Sequence, residues 1–264
     1  MSGMSTMRID RPADAPGVVE LVLDRPEALN AISTAHAQAL AEATESIAAD
    51  PSVQAVVVTS SAERAFCVGA DLKERNRLND AGLHYQREMF RRAFGGLLGL
   101  PGPVVAAVHG FALGGGLELA LSCDLIVVDE TAVVGLPEVS VGLVPGCGGT
   151  QLLGRKVGWG RAADLVFTAR RVDAAEAYRL GVADRLVPAG EARAAGLALA
   201  AAIAAHSPVG LRQAKKAMRL GADLPLTAGL DVEDAAWRAT AFSGDRKEGI
   251  AAFNEKRRPN WPGE

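Results

Sequence analysis

The stretch PVVAAVHGFALGGGLELALSCDLIVV, Pro103–Val128, decides the fold class. It begins with an apolar run, Pro103–Val108, of the kind a strand shows when both its faces are covered. Gly114 then opens a helix that reaches Ser122, and Asp124–Val128 is a second valine-rich strand. Strand, helix and strand in close succession mark an α/β core. Working outward to the N-terminus, Val18–Leu23 reads as a strand ending at the turn Asp24-Arg25-Pro26. Ser33 caps a helix with Ala37, Leu40, Thr44 and Ile47 on one face, which Asp50-Pro51 stops. Val53–Thr59 is another doubly covered strand, followed by a loop, Ser60–Asp71, and a helix over Ala81–Leu98.

Towards the C-terminus, Ala132–Gly135 is one more strand, and from Gly148 onward helix follows helix. Asp173-Ala-Ala-Glu176 has capping-box spacing, and Ser207-Pro208 is an N-cap followed by proline at the first helical position. Helices are expected over Ala192–Ala205, Pro208–Leu220, Leu226–Phe242 and Gly244–Lys256. The chain therefore divides into an α/β core, residues 1–188, and an all-helical region, residues 189–264, with the break near Pro188–Gly190. Helices without strands of their own must bury their apolar faces on the core or on another subunit.

With 264 residues, 49% apolar and 22% charged, the chain can bury a sizeable core. Its net charge of −3, 5% aromatic content and lack of a basic stripe argue against nucleic acid as a partner. Apolar runs are interrupted before the roughly 18 to 20 residues that a membrane span needs, so no membrane partner is expected. Cys67, Cys123 and Cys147 are widely spaced with no CxxC pair, which fits free thiols in a reducing compartment and a soluble, cytoplasmic protein. The four histidines form no metal-binding pattern, no serine sits in a GxSxG elbow, and Cys67 has no activating neighbour in sequence.

Four features bear on chemistry. In AFCVGADLK, Ala65–Lys73, the small residues Gly69 and Ala70 let a ligand approach main-chain amides; alone the loop reads as a tight surface turn. Gly114-Gly115-Gly116 at a helix start costs roughly 1 kcal/mol per glycine relative to alanine, tolerable where backbone must come close to something. Free amides there suit a partial negative charge, with close helix packing as the competing explanation. Neither GxGxxG nor GxxxxGK[ST] occurs, so a phosphate loop fits poorly. Glu118 lies among Leu117, Leu119, Ala120 and Leu121, where a carboxylate must be protonated, hydrogen-bonded or paired with an arginine. Glu138, in GLPEV, has similar surroundings, and two such carboxylates converging from different segments can do general acid and base work; alone, it reads as a loop carboxylate capping an amide.

These segments resemble the enoyl-CoA hydratase/isomerase (crotonase) family. The likeness is carried in order by RPEALNA (Arg25–Ala31), AFCVGADLK, GFALGGGLELALSCD, GLPEVSVGLVPGCGGTQ and FSGDRKEGIAAFNEKRRPNW, from about Val18 to Trp261. Leu152 departs from it, since arginine commonly follows the Thr-Gln pair. The resemblance implies a crotonase-like spiral of ββα repeats with a helical C-terminal region that mediates homotrimers, often paired into homohexamers. It implies that the amides of Ala70 and Gly115 form an oxyanion hole, that Ala28, Ala70, Asp71, Leu72, Lys73 and Gly115 hold the thioester and its coenzyme A, and that Glu118 and Glu138 are the catalytic pair. Phe253 and Lys256 match positions that approach coenzyme A on a neighbouring subunit. No prosthetic group or metal is implied, because coenzyme A enters as part of the substrate. Retention of both glutamates favours an enoyl-CoA hydratase, a hydro-lyase; the alternatives are an enoyl-CoA isomerase or other crotonase-type enzyme and a non-catalytic acyl-CoA-binding subunit.

Overall fold

The computed structural model describes residues 6–264. Its strands are β1 (Met7–Asp10), β2 (Val18–Leu23), β3 (Ala55–Ser60), β4 (Ala65–Cys67), β5 (Val104–Val108), β6 (Phe111–Leu113), β7 (Leu125–Asp129), β8 (Val133–Gly135), β9 (Val172–Asp173) and β10 (Arg185–Val187). The helices are α1 (Thr34–Ala49), α2 (Leu72–Arg75), α3 (Asp80–Leu98), α4 (Gly115–Leu121), α5 (Gly149–Val157), α6 (Trp159–Thr168), α7 (Ala174–Leu180), α8 (Ala192–Ala204), α9 (Pro208–Gly221), α10 (Leu226–Ala241) and α11 (Gly244–Glu255).

From β3 to β8, successive strands alternate between two sheets. One sheet has the order β1-β2-β3-β5-β7-β10 and the other β4-β6-β8-β9. All pairings are parallel except β1 with β2 and β8 with β9. Over β3–β8 each turn of the chain thus lays one strand in each sheet before its helices, which is the expected spiral of ββα repeats.

The unbroken apolar runs have a direct cause. Along β3, Val56 and Val58 face a core shared with α1, α3 and α4, while Ala55 and Val57 face α8. Both faces of the larger sheet are therefore covered, as parallel strands require. The second cover begins only after residue 188, so the first helix of the C-terminal region completes the core of the sheet. Its alanine-rich sequence allows close approach: a Cβ on Gly196 would stand 2.9 Å from the Cβ of Ala107.

Capping follows the sequence reading at Ser33, Asp173 and Ser207, whose side chains accept from the amides of His36, Glu176 and Gly210. Two expectations need correction. The loop Ser60–Asp71 contains β4, and the helical run after Gly148 is interrupted by β9 and β10. These three strands have only two or three residues each, too few for period-two patterning to stand out. Beyond α8, Lys215 and Arg219 of α9 reach Asp124 at 2.8 and 2.7 Å and tie the helical region to the sheet. Among the described residues no single helix is long and apolar enough to cross a membrane.

Candidate active site

The chain leaves β4 at Cys67 and passes through Val68-Gly69-Ala70. Ile32 and Ala70 form an isolated parallel bridge, in which the Ile32 amide donates to Gly69 O (2.7 Å) and the Asp71 amide donates to Ile32 O (2.9 Å). Because peptide groups alternate along an extended chain, the amide of Ala70 itself is turned away from Ile32. On that side lies the start of α4. A Cβ on Gly115 would be 3.5 Å from Gly69 Cα and 3.7 Å from Ala70 N. Among the described residues, neither the Ala70 nor the Gly115 amide has an acceptor within the chain. Two sequence-distant donors are therefore adjacent and unspent.

The glycines between them are dictated by close approach. A Cβ on Gly116 would stand 1.9 Å from Cys67 O, so α4 can lie against the end of β4 only without a side chain there. Gly114 adopts φ +53°, and its bare Cα admits the Glu138 carboxyl, whose Oε1 would be 2.9 Å from a Cβ at that position. The Gly114 amide donates to Gly135 O at 2.9 Å, which fixes the end of β8 and hence the Leu136-Pro137-Glu138 segment beside α4.

Glu118 is 2% exposed and all seven residues of α4 are buried. Among the described residues Glu118 makes no ion pair. Its Oε1 accepts from the amides of Cys147 (2.6 Å) and Gly149 (2.8 Å). Burial raises its pKa, opposed by those two amides and by the positive charge of Arg87. Glu138 opens a single 3-10 turn, Glu138–Val141, and its buried Oε2 has no partner. Burial pushes its pKa up to about 7 against the pull of its own main-chain amide, and the charge of Glu118 adds to the push. Among the described residues the arginine pair that the sequence allowed for Glu118 is not formed, whereas the Glu138 carboxyl does interact with a main-chain amide, its own.

Both carboxyls and both free amides line one cavity of about 700 Å³. Ala70 and Leu72 contribute to its wall, whereas Ala28, Asp71 and Lys73 lie outside it. Asp71 has a scaffolding part: it caps α2 through the amides of Lys73 and Glu74 and binds Arg25 at 2.8 Å. Although burial opposes its charge, these hydrogen bonds hold its pKa below the usual carboxylate range. The turn Pro26–Ala28 is drawn beside this loop by Asn30, whose amide donates to Phe66 O at 2.9 Å. Phe253 is 84% exposed and Lys256 caps α11; neither lines the cavity. Cys67 is packing, since its thiol donates to Asn30 O and burial pushes it up to about 12.

Sequence reasoning missed two parts of the site. One is the Gly146–Gly149 turn that grips Glu118; its glycines were visible, but nothing local ties them to a carboxylate 29 positions earlier. The other is the polar wall from α2 and α3, namely Arg75, Gln86 and Arg87.

Residues 14–264 match the family model described as enoyl-CoA hydratase/isomerase. A Bacillus subtilis protein named for enoyl-CoA hydratase/isomerase is 42% identical over 243 residues, covering 92% of this chain and 94% of the relative. An Arabidopsis thaliana mitochondrial protein named for enoyl-CoA hydratase is 41% identical over 247 residues, covering 94% and 82%. Among solved structures, the enoyl-CoA hydratase from Bacillus anthracis superposes with a TM-score of 0.95 at 37% identity, covering 98% of this chain and all of that one.

Proposed function

Because the chain belongs to the enoyl-CoA hydratase/isomerase family, we propose that it adds water across the C2=C3 bond of a 2-enoyl-CoA thioester. The observation that carries this reading is the meeting of two unspent amides and two burial-shifted carboxyls in one cavity.

The amides of Ala70 and Gly115 bind the thioester oxygen, where negative charge grows as an enolate forms. Donors of this kind contribute roughly 3 to 4 kcal/mol each in comparable oxyanion holes. Glu118, whose charged form the amides of Gly149 and Cys147 favour against burial, orients a water molecule and takes its proton as the oxygen attacks C3. Glu138, whose pKa is pushed up to about 7, carries the proton delivered to C2. One proton enters Glu118 and one leaves Glu138, so a proton must return between them before the next cycle. An isomerase needs only one such carboxyl; the presence of two favours hydration.

In the same reading, Ala28, Asp71, Leu72 and Lys73 border the coenzyme A moiety, and no prosthetic group takes part. The protein is a cytoplasmic homotrimer or homohexamer. Exposed Leu226, Trp237, Phe242 and Phe253 on α10, α11 and the segment between them support assembly, and three free cysteines support a reducing compartment. The division into a core, 1–188, and an oligomerisation region, 189–264, belongs to this proposal.

Crotonyl-CoA and a 3-enoyl-CoA, incubated separately with the purified protein, test it. Loss of the conjugated-thioester absorbance with crotonyl-CoA supports hydration. No change with crotonyl-CoA, together with conversion of the 3-enoyl ester to the conjugated form, would replace it with isomerisation.

A further inference from the structure

The wall that α2 and α3 give to the cavity is mainly apolar, with Leu83 and Phe90, yet it also carries two guanidinium groups, Arg75 and Arg87. Both line the cavity, and Arg87 reaches the corner occupied by Cys147. Arg87 Nη1 donates to Gly146 O and lies 3.9 Å from Cys147 Sγ. The Cys147 thiol is raised to about 12 by burial, and the charges of Arg75 and Arg87 both oppose the rise. Since the Cys147 amide holds Glu118, this corner adjoins the proposed reacting carbons.

Arg75 is held in place. Its Nε donates to Gln86 Oε1 at 3.0 Å, and its guanidinium lies 5.7 Å over the Phe90 ring. Gln86, itself buried, is fixed by Glu74 at 2.8 Å and Thr34 at 3.2 Å. Among the described residues neither arginine pairs with a carboxylate, which leaves both terminal nitrogens of Arg75, and Nε and Nη2 of Arg87, without an acceptor in the chain. An alkyl tail entering here would displace water from two charges and return no hydrogen bond. A carboxylate would replace that water with charge-assisted bonds to planar, forked donors.

We infer that the site takes CoA thioesters whose acyl chain ends in a second carboxylate, and that Arg75 and Arg87 recognise that carboxylate. The inference rests on the thioester orientation proposed above, with C3 facing Glu118, and adds that the acyl chain beyond C3 continues along the same cavity towards this corner. It assigns substrate selection to the arginines and leaves the oxyanion donors and glutamates in their proposed parts.

Equilibrium titration with saturated thioesters tests the inference without requiring turnover, so its outcome is separate from that of the hydratase reading. The ligands are glutaryl-CoA against pentanoyl-CoA, adipyl-CoA against hexanoyl-CoA, and free coenzyme A. The wild-type protein should bind a diacid thioester about tenfold or more tightly than its neutral counterpart at one or both chain lengths. Arg75→Met and Arg87→Met should each reduce that ratio to about threefold or less, while the Kd of free coenzyme A stays within about twofold. Arg87→Lys, which keeps the charge and loses the fork, should give an intermediate ratio. No preference at either length in the wild-type protein overturns the inference, and that arm needs no variant to fold. Equal weakening of diacid esters, neutral esters and free coenzyme A in the variants also overturns it, because the arginines would then be binding phosphates.

Discussion

The amide of Cys147 donates to Oε1 of Glu118 at 2.6 Å. With Gly149 donating to the same atom, one carboxylate oxygen is committed to the scaffold, and the residue lines the cavity. A buried acid held by one oxygen has a fixed orientation without an arginine partner, and the amides favour its charged form against burial. Glu138 interacts with its own main-chain amide, and burial with the charge of Glu118 pushes its pKa up to about 7.

Glu118→Gln should separate holding from chemistry. The amide oxygen of glutamine can still accept from Cys147 and Gly149, so the turn stays in place and thioester binding is nearly preserved. Proton transfer through the carboxylate is lost. Crotonyl-CoA hydration should fall by about 10²- to 10⁴-fold in kcat, with the Kd of a saturated thioester changed by less than about threefold. Wild-type turnover in this variant would remove Glu118 from the mechanism.

The pH response follows from Glu138. Its pKa in the fold, about 7, stands above the ordinary 4.5, so the folded state retains a proton that the unfolded chain releases. The raised group does not penalise the fold below about pH 4.5; the penalty grows as pH rises and is complete above about 7. Glu138→Gln should therefore have a higher Tm than wild type at pH 8, with the difference shrinking by pH 5. Since Glu138 is the proposed proton donor, wild-type kcat/KM should also fall as pH rises past about 7. A profile flat to pH 9 would assign the donated proton elsewhere.

Adjacent glycines should respond oppositely to alanine. At Gly116 the new Cβ would meet Cys67 O at 1.9 Å, against backbone that cannot yield. At Gly115 its nearest contact is 3.5 Å, ordinary packing. Gly116→Ala should cost about 3 kcal/mol or more in urea unfolding, while Gly115→Ala, which keeps its amide and gains helix propensity, should be neutral or slightly stabilising. Equal losses at both positions would mean that the approach of α4 to β4 is looser than these distances state.

What could be read from sequence, and what could not, divides along a physical line. Val56 and Val58 face one core and Ala55 and Val57 the other, so burial on two faces wrote an unbroken apolar run into the chain. Glu118 was conspicuous because every neighbour on its helix is apolar. Its partners were hidden, because a main-chain amide carries no side-chain signature and Cys147 is far away in sequence. Arg75 on α2 and Arg87 on α3 resemble any solvated helix charges until the fold brings both to the wall of one cavity. Resemblance extended the reading to Ala70 and Gly115, where local composition alone allowed a plain turn or close packing.

The attachment of α8 to the sheet makes a last prediction. Glu20, 1% exposed, receives two bonds of 2.6 Å from Arg193 and one of 2.8 Å from Thr59. Arg193 projects from α8, and its side chain is 63% exposed. Removing it leaves a buried carboxylate with a single hydroxyl partner. Complete loss of a partner for a fully buried pair costs about 3 to 5 kcal/mol; because this arginine is solvent-screened, Arg193→Met should cost about 2 kcal/mol. The double variant Glu20→Gln/Arg193→Met should regain most of that, since a neutral amide can still accept from Thr59 and leaves no charge stranded. Urea midpoints at pH 7 for both variants measure the difference. If the double variant is as unstable as the single one, the loss comes from α8 packing against Ala107 and Val57 and not from the charge on Glu20.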